Sequence, residues 1–447
     1  MTAITSYFEA LGMTPQQAAS REALFEQLDR RAGAILDGPA MWRRFTPGRI
    51  EIFGKHTDYA GGHSLLAAVP RGIALAALPR HDGIVRVGDI FDGQVIEVDP
   101  AADAPAHYRG IQRYVHVVAH RLQVNFPGCA LGANIAIASD LPRASGLSSS
   151  SALTVGVALA LIKRASLRER PEWQAHLRRV YDLGWYLGCV ENGLDFPGLP
   201  GSAGVGTHGG SEDHTAILAC KTEHVSLYRF VPVTPVGDTR MPDDWTFVIA
   251  SSGVQADKAD SVKERYNRAS NSVRALHAIW DAHSGQRAQS LSAALASHPH
   301  AAERLDKWIE TDAAGRGRFT ADELRQRLRH FVRETARPPQ AATAFREANT
   351  KVLGELAADS QRDAHELLGN QIPETILLAS LAREAGAFAS SSFGAGFGGS
   401  VWAAVRTADA ERFGAEWVRA FESRMPHVGT IDWFVARPGP AATEIPV

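Results

Sequence analysis

Cysteine is scarce in this sequence: three residues, Cys129, Cys189 and Cys220, among 447. They are too few and too irregularly spaced for a disulfide framework or a paired-cysteine metal site, and they read as buried thiols of a reducing compartment. Long apolar runs are lacking as well. The longest, near Val155–Ile162, extends for about ten residues, well short of the ~20 that a membrane-spanning helix needs. The stretch MTAITSYFEALG has no basic segment followed by an apolar one, so a cytoplasmic protein without a membrane partner is expected. Neither charge sign is in excess. The 47 Lys and Arg and 49 Asp and Glu are scattered along the chain, which argues against a nucleic-acid partner. What remains is a chain 45% hydrophobic, long enough for two cores, expected to be a monomer that binds small molecules.

From 41 to 100 the pattern alternates through RIEIF, SLLAAV, GIALAAL, IVRVGDIF and QVIEV, separated by Gly, Pro and Asp, which predicts a sheet with hairpins. A helix is expected around 107–123, then a strand in LGANIAIASDLP that runs through RASGLSSSS into a buried helix. A second helix is expected over about 173–192. The Gly- and Pro-rich stretch after it reads as a long loop entering a helix near Glu212. WTFVIASSGV predicts a buried strand that opens a mostly helical second half. Thr320 and Glu323 form a capping-box pattern followed by Leu324, Leu328, Phe331 and Val332 at helical spacing, and Pro338 and Pro339 are expected to end that helix. AFASSSFGAGFGGSVWAAV reads as strand, glycine turn, strand, and GTIDWFVA as a closing strand. The best division falls near 225–245, giving units 1–235 and 236–447.

Three glycine- and serine-rich stretches carry the chemistry. In PRASGLSSSSALTVGVALAL, Gly146 permits an unusual backbone, hydroxyls follow, and a helix start directs free N–H groups at one spot suited to an anion such as a phosphate. A serine-rich cap on a core helix would need the same residues. FGAGFGGSV lets a ligand or a second backbone approach closely, although a tight hairpin would ask for the same glycines. GKHTDYAGG, after RIEIF, is not a Walker phosphate loop: His56 separates Lys55 from Thr57, and a strand stands where a flexible cradle is needed.

Taken in order, PGRIEIFGKHTDYAGG, GLSSSSAL and FGAGFGGSV resemble the three motifs of the GHMP small-molecule kinases, and among them the galactokinases, whose signature is close to PGRVNLIGEHTDYNGG. The resemblance implies an α+β, two-domain fold: an N-terminal mixed sheet with helices and a C-terminal ferredoxin-like α/β sandwich. It implies ATP and Mg2+, with the sugar between the domains and phosphoryl transfer to a sugar hydroxyl, the anomeric one in galactokinases. The ATP phosphates would fall to Gly146, Leu147, Ser148, Ser149, Ser150 and Ser151. The base would be Asp213 in GGSEDHTAIL, which resembles the family's MDQ motif after a glycine, paired with Arg49. The resemblance further implies sugar contacts at Lys55, His56, Asp58, Gly210 and Tyr266, and magnesium contacts at Ser149, Ser150 and Glu191. The connection from Glu191 to Asp213 is longer than in a galactokinase.

Two signature positions depart from the family: its asparagine is Glu51 and its glutamate is Lys55. A pocket cation suits a carboxylate, so the expected substrate is galactose or a related, acidic (uronic) sugar; pairing of Lys55 with Glu51 is the alternative. A non-catalytic sugar and ATP sensor acting on a protein partner is the rival reading. A metal-dependent hydrolase built on His56, Asp58, His208, Glu212, Asp213 and His214 is a third, but their spacing fits no ligand set.

Overall fold

The computed structural model describes residues 3–142, 146–254 and 260–446. Two sheets organise them. The first holds β1 (Trp42–Phe53), β2 (His63–Pro79), β3 (Val85–Asp89), β4 (Val95–Val98), β5 (Ala133–Ser139), β6 (His224–Arg229) and β7 (Thr234–Arg240). The second is antiparallel and is formed by β8 (Trp245–Ser251), β9 (Ala389–Ser392), β10 (Ser400–Arg406) and β11 (Trp433–Ala436), in the order β11-β8-β10-β9. The last strand, β12 (Thr443–Ile445), returns to the first sheet, whose main path runs β12-β1-β2-β5-β3-β4 with β6 and β7 beside β2. The β3–β5 pair is parallel and the other pairs are antiparallel, so the sheet is mixed, as expected.

SLLAAV and GIALAAL, read as separate segments, form one strand, β2. Gly72 is there for close approach and not for a turn: a Cβ on it would lie 2.3 Å from the Thr46 carbonyl oxygen of β1. The division expected at 235/236 falls within β7, which pairs with β6.

The predicted helices appear with adjusted ends. Gly110–Asn125 covers the first, and the second is divided into Pro171–His176 and Val180–Asn192. Ser149–Arg164 is buried from Ser151 to Ile162, so its apolar composition on all sides is a consequence of being the central helix of the first unit. Its side chains join those of β1, β2 and β5 in one core that continues to Phe247 and Trp402 of the second sheet. β8 alternates between two layers: Phe247 and Ile249 face this large core, and Val248 and Ala250 face the helices Pro373–Glu384 and Ala410–Arg424.

The capping box forms as predicted, with Thr320 and Glu323 bonding reciprocally at the start of Ala321–Arg346. Leu324, Leu328 and Phe331 are buried, whereas Val332 is exposed. Pro338 and Pro339 do not end the helix. Each removes an N–H donor, but Ala341, Ala342, Ala344 and Phe345 beyond them pack into the core, and that burial carries the helix on to Arg346. With Asp260–Ser284 and Ala301–Thr311 this helix builds a separate helical core, which also takes in Ala60 of the signature loop. Among the described residues no helix is long and apolar enough to cross a membrane.

Candidate active site

All three motif stretches meet at one open cleft. The end of β1 supplies Arg49 and Glu51, the loop after it His56, Asp58 and Tyr59, and the serine loop Gly146 and Ser148–Ser151. Glu191 and Asn192 end one helix, Gly209–Asp213 start another, and the glycine turn between β9 and β10 closes the side.

The turn and the serine loop approach at backbone distance. A Cβ on Gly394 would lie 3.2 Å from the Gly146 carbonyl oxygen, and both residues have positive φ, 79° and 78°. The Ser149–Arg164 helix starts there, so its first N–H groups lie at the cleft wall.

Asp213 is the centre of the polar contacts. Its Oδ1 accepts from Arg49 Nε at 2.7 Å and lies 2.6 Å from a terminal guanidinium nitrogen. Its Oδ2 accepts from Ser148 Oγ at 2.6 Å and Ser151 Oγ at 3.3 Å. A third nitrogen of Arg49 donates to the Gly146 carbonyl at 2.5 Å, tying the guanidinium to the serine loop. Burial alone would raise the Asp213 pKa, but the Arg49 charge and the Ser148 hydrogen bond outweigh it and hold the carboxyl below its usual value. Ser148 and Ser151, one helical turn apart, make these bonds, while Ser149 and Ser150 line the cleft.

The long connection does not separate Glu191 from Asp213. Gly188 packs against Ser211 and Gly184 against Thr215, so the two helices touch and Glu191 Oε2 lies 3.0 Å from His214 Nε2 and 3.5 Å from Ser151 Oγ. Asn192, not foreseen, holds the loop above: its Oδ1 accepts from Gly209 N at 2.6 Å and its Nδ2 donates to the Gly210 carbonyl at 3.3 Å. An Asn next to a helix-ending glycine was the available signal.

On the side of the loop after β1, Asp58 Oδ2 accepts from Glu212 N at 3.1 Å. Gly210 is indispensable, because a Cβ would stand 1.9 Å from Asp58 Oδ2. Burial, with the Asp213 charge, pushes Asp58 up to about 6. Tyr266 lines the cleft, its ring centroid 5.2 Å from that of His56.

His56 also lines the cleft, but both ring nitrogens are engaged by protein. Nε2 is 3.1 Å from the Ala395 carbonyl and therefore carries the proton; Nδ1 accepts from Tyr59 OH at 3.1 Å, and that hydroxyl accepts in turn from Arg327. Burial and the Arg327 charge lower the His56 pKa to about 4, so the ring is neutral at physiological pH.

Lys55 does not reach the cleft, which corrects its assignment as a sugar contact. Its side chain is fully buried, and Nζ donates to Ser360 Oγ at 2.7 Å and Ser391 Oγ at 2.9 Å. The reason is the carboxylate behind it: Glu334 accepts from Gly54 N, Lys55 N and Ser360 Oγ, and its charge attracts the ammonium more than that of Glu51 does. The direct Glu51 pair is not formed either, since Glu51 Oε2 accepts from Gly394 N at 3.0 Å and Oε1 has no partner among the described residues.

His208 is held by Asn267 and Asn271 outside the cleft lining. Among the described residues no group of three or more His, Cys, Asp or Glu is placed to hold a metal ion.

Three family models match the chain: the galactokinase galactose-binding signature over residues 38–79, the GHMP kinases N terminal domain over 113–179, and the GHMP kinases C terminal over 341–423. Curated relatives include a galactokinase of Roseiflexus sp. (strain RS-1), 27% identical over 397 residues, covering 86% of this chain and 88% of the relative. Another, from Exiguobacterium sibiricum, is 27% identical over 410 residues and covers 90% and 94%. Among solved structures, Lactococcus lactis galactokinase complexed with galactose matches at TM-score 0.73 and 23% identity, covering 94% of this chain and 99% of that one. L. major mevalonate kinase in complex with R-mevalonate matches at TM-score 0.53 and 15% identity, covering 89% and 97%.

Proposed function

We propose that the chain is a sugar kinase of galactokinase type among the GHMP kinases, the reading its family-model matches and relatives support, and that Asp213 is the base that receives the proton of a monosaccharide hydroxyl, the anomeric one, as ATP gives up its γ-phosphoryl group. The observation that carries this reading is the Arg49–Asp213–Ser148 cluster at the start of the central helix, where the sugar-signature strand meets the serine loop.

Phosphoryl transfer is governed by positioning and charge neutralisation more than by covalent chemistry. The hydroxyl oxygen bonds to the γ-phosphorus, the bond from that phosphorus to the β,γ-bridging oxygen breaks, and ADP leaves. Arg49 keeps Asp213 ionised, so its carboxylate is ready to accept the hydroxyl's hydrogen bond and then its proton. Asp58, Gly210 and Tyr266 hold the sugar beside it. Gly146 to Ser151 and the facing glycine turn receive the phosphates. The donor set fits magnesium: Ser149, Ser150 and Glu191 offer hard oxygens on one wall of the cleft and would hold the ion, which when bound neutralises phosphate charge.

The acidic-sugar expectation rested on Lys55 and loses that support, because the ammonium is turned into Ser360 and Ser391. The Arg49–Asp213 pair favours catalysis over a sensor role, in which no ionised base would be needed. The test is ADP release from ATP and magnesium across neutral hexoses, pentoses and uronic acids, with Asp213→Asn alongside. Release stimulated by a sugar and abolished by the variant is expected; no stimulation by any sugar would refute the kinase reading, and an active variant would refute the base.

A further inference from the structure

Five carboxylates line the cleft, Glu51, Asp58, Glu191, Glu212 and Asp213, against the side-chain cations Arg49 and Lys263. Arg49 is committed to Asp213 and the Gly146 carbonyl, and Lys263 donates to the Val205 carbonyl. Arg49–Asp213 is an ion pair of the cleft, and Glu191 Oε2 lies 3.0 Å from His214 Nε2. Among the described residues Glu51, Asp58 and Glu212 form no ion pair, although the Arg49 charge acts on Glu51 and Glu212 and that of Lys55 on Glu51.

Their partners are neutral. Glu51 accepts from Gly394 N, Asp58 from Glu212 N, and Glu212 from Ser64 Oγ at 2.9 Å. Glu51 lines the cleft and is only 1% exposed, and its buried Oε1 has no partner among the described residues. Burial pushes Glu51 up to about 7, and burial together with the Glu51 and Asp58 charges pushes Glu212 well above its usual value. Acids gathered in this way are costly to ionise, and a bound cation lowers that cost.

The family signature has asparagine where Glu51 stands, and its MDQ motif has methionine where Glu212 stands, so two of these acids stand where the family motifs have neutral residues. The one added cation, Lys55, is withdrawn behind Ser360 and Ser391. At the cleft wall the exchange thus adds two acids, Glu51 and Glu212, and removes one, the family glutamate that Lys55 replaces.

Resting on the sugar-kinase reading above, we propose that the substrate is an amino sugar, a pyranose bearing a protonated primary amine, whose ammonium is met by Glu51 and Glu212. An ammonium brings three donors, and Glu51 Oε1 is an acceptor waiting for one. A uronic acid would add an anion to the same acids. The transfer step is unchanged, with the hydroxyl oxygen joining the γ-phosphorus, ADP departing and the proton passing to Asp213.

The experiment compares ADP release by the full chain, with ATP and magnesium at neutral pH, on galactose, glucose and mannose, on their 2-amino and N-acetylated 2-amino forms, and on galacturonate. The expected result is a kcat/KM at least about tenfold higher for one amino sugar than for its neutral parent, with the N-acetyl form losing that advantage. The double variant Glu51→Asn, Glu212→Met reverses the order while its melting transition and ATP binding show that it is folded. Equal or better turnover of the neutral parents, or a double variant that keeps the amine preference, overturns this inference alone. Failure of every sugar to release ADP overturns the kinase reading and this inference with it.

Discussion

Arg49 Nε donates to Asp213 Oδ1 at 2.7 Å across a sequence separation of 164 residues, joining the first strand of the sugar signature to the helix that begins at Glu212. Removing either partner has different consequences. Asp213→Asn keeps the shape and deletes the proposed proton acceptor, and kcat should fall by about 10²–10⁴-fold with little change in sugar affinity. Arg49→Gln leaves the carboxylate but removes the charge that holds its pKa down, so the acid limb of the kcat/KM profile should move to higher pH. Steady-state kinetics over a pH series checks both; an unmoved limb would mean that Arg49 does not set the ionisation of Asp213.

Gly210→Ala places a methyl group where Asp58 Oδ2 now lies. The aspartate must swing away, and the loss should appear as a raised KM for the sugar, with the KM for ATP unchanged. Kinetics with each substrate varied in turn separates the two.

Lys55→Met removes the donor to two buried hydroxyls and the cation beside Glu334. Breaking such a buried charge arrangement costs about 3–5 kcal/mol, so a marked drop in melting temperature is expected. The order of sugar preference in the surviving enzyme should stay as it was, since the ammonium does not face the cleft. A changed order, measured on the same panel of sugars, would put Lys55 back in the pocket.

The carboxyl of Glu51 titrates at about 7 in the folded, ligand-free protein, above its usual range near 4.5. A folded-state pKa raised in this way means that the native state binds the proton more tightly than the unfolded chain does. The associated stability is present below the ordinary glutamate value and is lost as pH rises through about 7. Glu51→Gln lacks this titration, so its melting temperature should gain on that of the parent between about pH 5 and pH 8. Parallel melting curves across that range would show instead that Glu51 is ionised throughout.

Much of this site is written in local sequence. RIEIF alternates because β1 must, and Gly146 and Gly394 are needed where two backbones meet within van der Waals reach. Strand periodicity also put Glu51 on the same side as Arg49, a signal that marks both as cleft residues. The serines of GLSSSS were legible as a set, but which of them face Asp213 follows from helical spacing once the helix start at Ser149 is known. The direction of Lys55 was not legible. It depends on Glu334, Ser360 and Ser391, residues about 300 positions away in the chain, whose convergence is a property of the folded protein. The prolines misled for a similar reason: the local cost at Pro338 and Pro339 is real, but the packing of Phe345 and its neighbours outweighs it.

The pairing of β12 with Arg43–Phe45 of β1 bears on synthesis of the chain. β1 leaves the ribosome early and β12 hundreds of residues later, on the order of half a minute or more at about 5–20 residues per second. Throughout that interval the strand that carries Arg49 has one unpaired edge, the kind of surface on which nascent chains associate. A nascent chain halted between Gly399 and Thr443 would thus hold every cleft residue and still present an open sheet edge, which makes arrested translation products of that length prone to aggregate.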